Sequence, residues 1–332
     1  MTISNREIGS EFWDVPVSEG NSMFSSDTAW FLSGRSALEC IIAEIKSKTN
    51  AKIAALPSWC CDSMIVPFEN FGIEVRFYPV YRGNGKFIQN ISAAEGCDIL
   101  FVMDYFGYAS ESSKENFDGI VIRDLTHSVF SKIYDDAEYY FGSLRKWAGF
   151  LTGGFARGIE DRKLPTDELY TLVREKAMKE KLDYITGKSE SKDYLKGFAL
   201  AEEYLETAPL AGADVRDVEA ARVLDVDGIK NQRRKNAKAL LSAVSDMAIF
   251  PNMNENDCPL FVPILVPNGE RDALRRHLIE REIYCPVHWP LTEHHNPDKR
   301  TIEIYENELS LVCDQRYDES DMERIIKAIR EF

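Results

Sequence analysis

The sequence predicts an α/β fold with a mainly parallel central sheet, followed by a smaller α+β unit. Three observations carry this. Short apolar runs at 52–56, 75–80, 99–103 and 120–122 alternate with helical or loop segments, the pattern of strands joined by crossovers. A Lys- and Glu-rich helical stretch follows and is punctuated by Pro209 and Gly212. Beyond Pro251 a fresh strand and helix pattern begins, and 332 residues suffice for one large domain or two moderate ones.

The elements follow in order. Residues 33–48 read as a helix, with Ser33 as its cap and Ala37, Leu38, Ile41, Ile42 and Ile45 on one face. A strand at 52–56 stops at Pro57, and a helix is expected over 62–71. Gly83-Asn84-Gly85 is a turn, without the strand and helix context of a dinucleotide fingerprint. Segments 139–143 and 154–156 read as strands flanking a turn. Helix is expected over 166–207 and again, as one long helix, over 215–244. The last part reads as strand 260–266, helix 270–281, strand 309–312 and helix 318–332. The boundary falls within 212–245. It divides the chain into a large domain at 1–215, whose first ~25 residues are a candidate arm, and a small one at 216–332.

Composition narrows the function. A net charge of −15 argues against nucleic acid and anionic membranes, which both reward Lys and Arg. The seven cysteines are odd in number and form no C-x-x-C pair, so no metal site is expected. They read as reduced thiols of a cytoplasmic protein. The first residues lack the apolar core of a signal peptide, and no apolar run is long enough to span a bilayer.

The most informative stretch is 141–154, which places Lys146 between an apolar strand and the pair Gly153-Gly154. Upstream, the apolar run at 120–122 leads to Asp124. An Asp at a strand end and a Lys in a turn are the pair that pyridoxal 5′-phosphate (PLP) chemistry needs. The amine condenses with the cofactor aldehyde, and the carboxylate keeps the pyridinium nitrogen protonated. Each residue alone also reads as a solvated turn lysine or a helix cap.

Neighbouring segments supply the rest of such a site. Gly34-Arg35-Ser36 opens the first helix, where backbone N–H groups and the dipole attract an anion. Ser143 lies three residues before Lys146, so its hydroxyl could reach the same phosphate; it also reads as a strand-end serine. Trp59 follows a strand end, where open α/β sheets bind ligands, and could stack on a pyridine ring or sit in the core. His127, three residues after Asp124, could bond to Asp124 or to a ring substituent, or be a satisfied buried histidine.

In this order the segments resemble fold-type I PLP-dependent transferases, and more narrowly the DegT–StrS family of sugar aminotransferases. Ser33-Gly34-Arg35-Ser36-Ala37-Leu38 resembles that family's G-[TS]-x-A-L helix start, and Pro57-Ser58-Trp59 its P-S-[FW] segment. Phe106-Gly107 resembles L-[FY]-G, and Asp124-Leu125-Thr126-His127 resembles D-x-x-[HQ]. Lys146 with Gly153-Gly154 has the spacing of K-N-L-T-T-G-E-G-G. His288-Trp289-Pro290 is similar to H-[YW]-P. The resemblance spans about 31–332 and is weakest over 157–211.

The resemblance implies that Lys146 is the Schiff-base lysine, that Asp124 contacts the ring nitrogen and that Trp59 stacks on the cofactor. It implies a homodimer, an amino-acid donor such as glutamate and a nucleotide-linked keto sugar as acceptor. Elimination on the same fold and non-catalytic PLP binding are the alternatives. Two departures stand out. Asp214 takes the place of the family's Asn in G-x-N-x-R, leaving Arg216 to match its Arg, and a Lys/Glu-rich segment at 166–207 replaces loops that shape the sugar-nucleotide pocket.

Overall fold

A computed structural model describes residues 7–19, 22–108, 117–133, 135–160 and 163–332. Residues 1–6, in which no leader was expected, lie outside that set. In chain order the first elements are β1 (Ile8–Gly9), β2 (Ala29–Phe31), α1 (Gly34–Lys48), β3 (Ile53–Pro57), α2 (Asp62–Asn70) and β4 (Glu74–Tyr78). Then come β5 (Val80–Gly83), β6 (Lys86–Gln89), β7 (Ile99–Met103), β8 (Ile120–Asp124), β9 (Tyr139–Ser143) and β10 (Gly154–Arg157). Four helices follow, α3 (Glu168–Ile185), α4 (Tyr194–Thr207), α5 (Val215–Arg222) and α6 (Val226–Val244). The chain closes with β11 (Phe261–Leu265), α7 (Arg271–Ile279), β12 (Ile283–Tyr284), α8 (Lys299–Asn307), β13 (Glu308–Val312) and α9 (Glu319–Arg330).

Seven strands form one sheet in the order β2-β10-β9-β8-β7-β3-β4. The run from β9 to β4 is parallel throughout, and β10 is antiparallel to both of its neighbours. The expected α/β class is therefore the observed one. Strand β7 is buried at every position, as a central parallel strand covered on both faces must be. The largest core lies around this sheet and the inner faces of α1 and α2. A second core joins α6, α7 and α9 to β11 and β13. Ile8 enters that second core because β1 pairs with β12, so the N-terminal segment is tied to the C-terminal part of the chain.

Two expected helices are each split. The stretch 166–207 breaks between α3 and α4 at Gly187, which takes a φ of +73° that favours glycine. The stretch 215–244 breaks after α5 because the N-terminal segment pairs there. Ser18 N donates to the Val223 carbonyl, Asp225 N donates to the Pro16 carbonyl, and the Asp225 side chain then caps α6. The hairpin β5–β6 confirms the turn at Gly83-Asn84-Gly85.

Candidate active site

The parallel strands bring their C-terminal ends to one side, and α1 starts there too. The Ser33 hydroxyl accepts from Ser36 N (3.1 Å) and meets the Ser36 hydroxyl (3.2 Å), which leaves the N–H groups of Gly34 and Arg35 at the helix start. A cleft of about 240 Å³ opens at this point. Gly34, Arg35, Asp124, His127, Ser143 and Lys146 all border it.

Asp124 ends β8 and is 1% exposed. Its carboxylate accepts from Thr126 N at 2.7 Å. Burial pushes its carboxyl up to about 6, and the Thr126 bond only partly opposes this. A buried carboxylate with a raised affinity for protons lacks a cationic partner. The pyridinium nitrogen of PLP is such a partner, so the residue fits the group.

Ser143 ends β9 and faces the helix start: a Cβ added to Gly34 would lie 3.5 Å from the Ser143 Cβ. The Ser143 hydroxyl is buried and has no hydrogen-bond partner. An orphaned hydroxyl beside free helix N–H groups is what a phosphate would satisfy.

Lys146 ends a single 3₁₀ turn at Leu144–Lys146 and is exposed. The sequence builds this turn locally. Leu144 N donates to the Gly153 carbonyl, and Gly153 sits at φ +85°. Gly154 must be bare, because a Cβ there would lie 2.2 Å from the Ser33 carbonyl oxygen. The glycine pair thus joins the lysine turn to the start of α1. Asp217 on α5 accepts from Leu151 N, Thr152 N and the Thr152 hydroxyl and fixes the same loop from outside.

His127 is 2% exposed, and its Nδ1 has no partner. Burial, with His288 and Lys146 nearby, holds it well below the usual histidine range, so the ring is neutral. It stacks on Trp289, with ring centres 5.6 Å apart and planes at 24°.

Trp59 is placed elsewhere than expected. It does not border the cleft but is fully buried behind it, packed on Phe87, Tyr105, Phe106 and Trp289. An aromatic cluster large enough to exclude water has drawn it one layer inward, and Trp289 is the indole at the cleft wall. Ser36 likewise bonds to Ser33 and does not border the cleft.

Other bordering residues had no assigned role. Cys61 borders the cleft, and desolvation pushes its thiol up. Arg145 donates to Glu202 of α4 (2.7 Å) and to the Tyr170 hydroxyl (2.7 Å). Burial would raise the Glu202 carboxyl, but Arg145, Lys146 and Arg174 outweigh it and hold it at about 2. Only the three-dimensional approach of α4, 56 residues after Lys146, reveals this neighbour. Asp214 is not a free charge: it caps α5 by accepting from Arg216 N, and its carboxylate pairs with the Arg216 guanidinium at 2.9 Å.

No protein-family profile matches the chain, and no curated protein matches it. Solved structures do. PseC of Helicobacter pylori, an aminotransferase of pseudoaminic acid biosynthesis, superposes with a TM-score of 0.66 at 13% identity, over 97% of this chain and 99% of that one. The Streptococcus pneumoniae protein Spr1654 in its PLP form gives 0.63 at 13% identity, over 97% and 98%. A Brucella abortus DegT DnrJ EryC1 StrS aminotransferase gives 0.62 at 16%, over 92% and 85%. Over nearly its whole length the chain therefore has the fold of the DegT–StrS aminotransferases, the fold-type I architecture its motifs led one to expect.

Proposed function

We propose that this chain is a PLP-dependent aminotransferase, which moves an amino group from an amino acid, glutamate by resemblance, to a keto acceptor, a nucleotide-linked keto sugar. The observation that carries this is the meeting of Lys146, Asp124, Ser143 and the α1 start on one cleft. The PLP form of Spr1654 and the aminotransferases among the other matches support it.

The residues have distinct roles. Lys146 Nζ would hold the cofactor aldehyde and would carry a proton as general base and then acid. Bound PLP supplies an electron sink for the carbon that loses this proton. Asp124 pairs with the ring nitrogen and keeps it protonated. Ser143 and the N–H groups of Gly34 and Arg35 hold the phosphate, with Ser36 bracing Ser33. Neutral His127 bonds to a ring substituent, and Trp289, backed by Trp59, walls the cleft from water.

Within this reading residues 1–215 form the cofactor-binding unit and 216–332 the smaller one, supported by the separate core around α6 and β11. The active form is a homodimer, supported by large apolar side chains exposed on α3, α4 and α5: Leu169, Leu172, Leu195, Leu200 and Val215. A cytoplasmic site is supported by seven free thiols. Among the described residues no helix is long and apolar enough to cross a membrane, and no group of side chains is arranged for a metal ion.

The direct test is borohydride reduction of PLP-loaded protein followed by peptide mapping. The label is expected on the peptide containing Lys146. Label on another lysine overturns the site, and no label overturns the class.

A further inference from the structure

The lysine turn brings a second charged side chain to the cleft. Arg145, one residue before Lys146, borders it together with Arg35, Ser143 and Glu202. Its side chain is 11% exposed. Nη1 donates to the Tyr170 hydroxyl of α3 and to the Glu202 carboxylate of α4, each at 2.7 Å. Nε is buried without an acceptor, and among the described residues Nη2 has none either. One corner of the guanidinium is thus anchored, and its Nε–Nη2 edge is unused.

Three further observations bear on what that edge serves. The Ser143 hydroxyl, two residues earlier, is also buried without a partner and borders the same cleft. Arg35, at the α1 start, donates from Nη1 to the Leu205 carbonyl at 2.9 Å and so holds α4 across this end of the cleft. Glu202 meets Arg145 at Nη1 and lies 3.6 Å from Arg174 as well, so its charge is met from two sides and the Nε–Nη2 edge stays open. Two orphaned donors on one cleft, beside a helix start with free N–H groups, call for a ligand that carries negative charge and several acceptor oxygens.

We propose that Arg145 is a phosphate-binding residue of the cofactor site. Its Nε–Nη2 edge takes the phosphate that Ser143 and the α1 start also hold, and Tyr170 and Glu202 are the positioning residues that fix the guanidinium for it. That the phosphate is the cofactor's rests on the function proposed above; the phosphate site itself does not. A planar edge with two parallel N–H groups matches two oxygens of one phosphate, which a lysine in the same place could not do. Both positioning residues come from α3 and α4, within the stretch where the DegT–StrS resemblance is weakest, so the contact is built by helices particular to this chain.

The test is calorimetric titration of the cofactor-free protein with inorganic phosphate, followed by titrations with PLP and with pyridoxal, which lacks the phosphate. Arg145→Gln is expected to weaken inorganic phosphate and PLP roughly 10- to 100-fold, the worth of charged hydrogen bonds, and to leave pyridoxal binding unchanged. A merely structural role, acting through the lysine turn, would weaken PLP and pyridoxal alike. Should Arg145→Gln fail to fold, Arg145→Lys serves, with a weakening of about 10-fold expected because a point charge replaces the fork. Ser143→Ala is expected to weaken inorganic phosphate too, since both donors face one ligand. No phosphate binding by the unaltered protein, or equal loss of PLP and pyridoxal in a folded variant, overturns the proposal. Unchanged phosphate and PLP binding in a folded variant overturns it and leaves the cofactor reading standing. Phosphate binding that depends on Arg145 but not on Ser143 would move the anion to the larger cavity that Arg145 also borders, and overturns it as well. Absence of borohydride labelling with phosphate binding that depends on both residues would instead overturn the aminotransferase reading alone.

Discussion

The Trp147 indole donates a 2.8 Å hydrogen bond from Nε1 to the carbonyl of Thr126, and so fastens the turn that carries Lys146 to the turn that follows Asp124. The two residues of the proposed chemistry come from adjacent parallel strands, β8 and β9, and this bond sets their loops against each other. Gln315 donates to the Trp147 carbonyl at 2.6 Å, which extends the link to the C-terminal core.

Replacing Trp147 with Phe keeps most of the apolar volume but leaves the Thr126 carbonyl unpaired. We expect a loss of about 1–3 kcal/mol in stability and weaker cofactor retention. Chemical denaturation and PLP titration check both; a variant with unaltered PLP affinity would show that the bond does not position Lys146.

Asp124→Asn should stabilise the cofactor-free protein at neutral pH. The Asp124 carboxyl is raised to about 6 by burial, so its ionised form is disfavoured in the fold. Below the unfolded carboxyl range both states are protonated and the residue costs nothing; the penalty grows as pH rises toward 6 and is full above it. It amounts to about 3 kcal/mol at most. Melting curves of both proteins from pH 4 to 7 should diverge upward in pH. With PLP bound the same substitution, like Asp124→Ala, should slow transamination by a barrier on the order of 4 kcal/mol.

Ser143→Ala separates folding from binding. Its hydroxyl has no partner, so its removal should change stability without cofactor by less than about 1 kcal/mol. The same change should weaken PLP roughly 10-fold, a hydrogen bond to a charged group. A large loss of stability without cofactor would place the hydroxyl in the fold rather than at the phosphate.

Gly154→Ala would set a methyl against the Ser33 carbonyl at 2.2 Å, where backbone must move. The α1 start and the lysine turn would separate. We expect loss of PLP binding and a drop of several degrees in melting temperature. Gly153→Ala should cost about 1–2 kcal/mol, because φ +85° strains any side chain.

If the exposed leucines of α3 and α4 lie in a dimer interface, Leu172→Glu combined with Leu200→Glu should yield monomers by light scattering, with reduced transamination. A wild-type monomer with full activity would remove the dimer from the reading.

Most of the frame was legible in the sequence, because buried parallel strands are continuous apolar runs; β7 and β9 fall where the runs at 99–103 and 139–143 stand. Ser33, Gly153 and Gly154 were legible for a different, local reason. Capping and tight turns depend on a few residues near in the chain. So was the placing of Lys146 and Asp124, the two residues of the proposed chemistry, at strand ends that border one cleft. The tertiary structure decided what depends on distant packing. It drew Trp59 behind Trp289, split 215–244 where residues 16–18 pair with the chain at 223–225, and brought Glu202 beside Arg145. A local pattern holds no record of which side chains from remote segments share a wall, and only the closed fold sets those contacts.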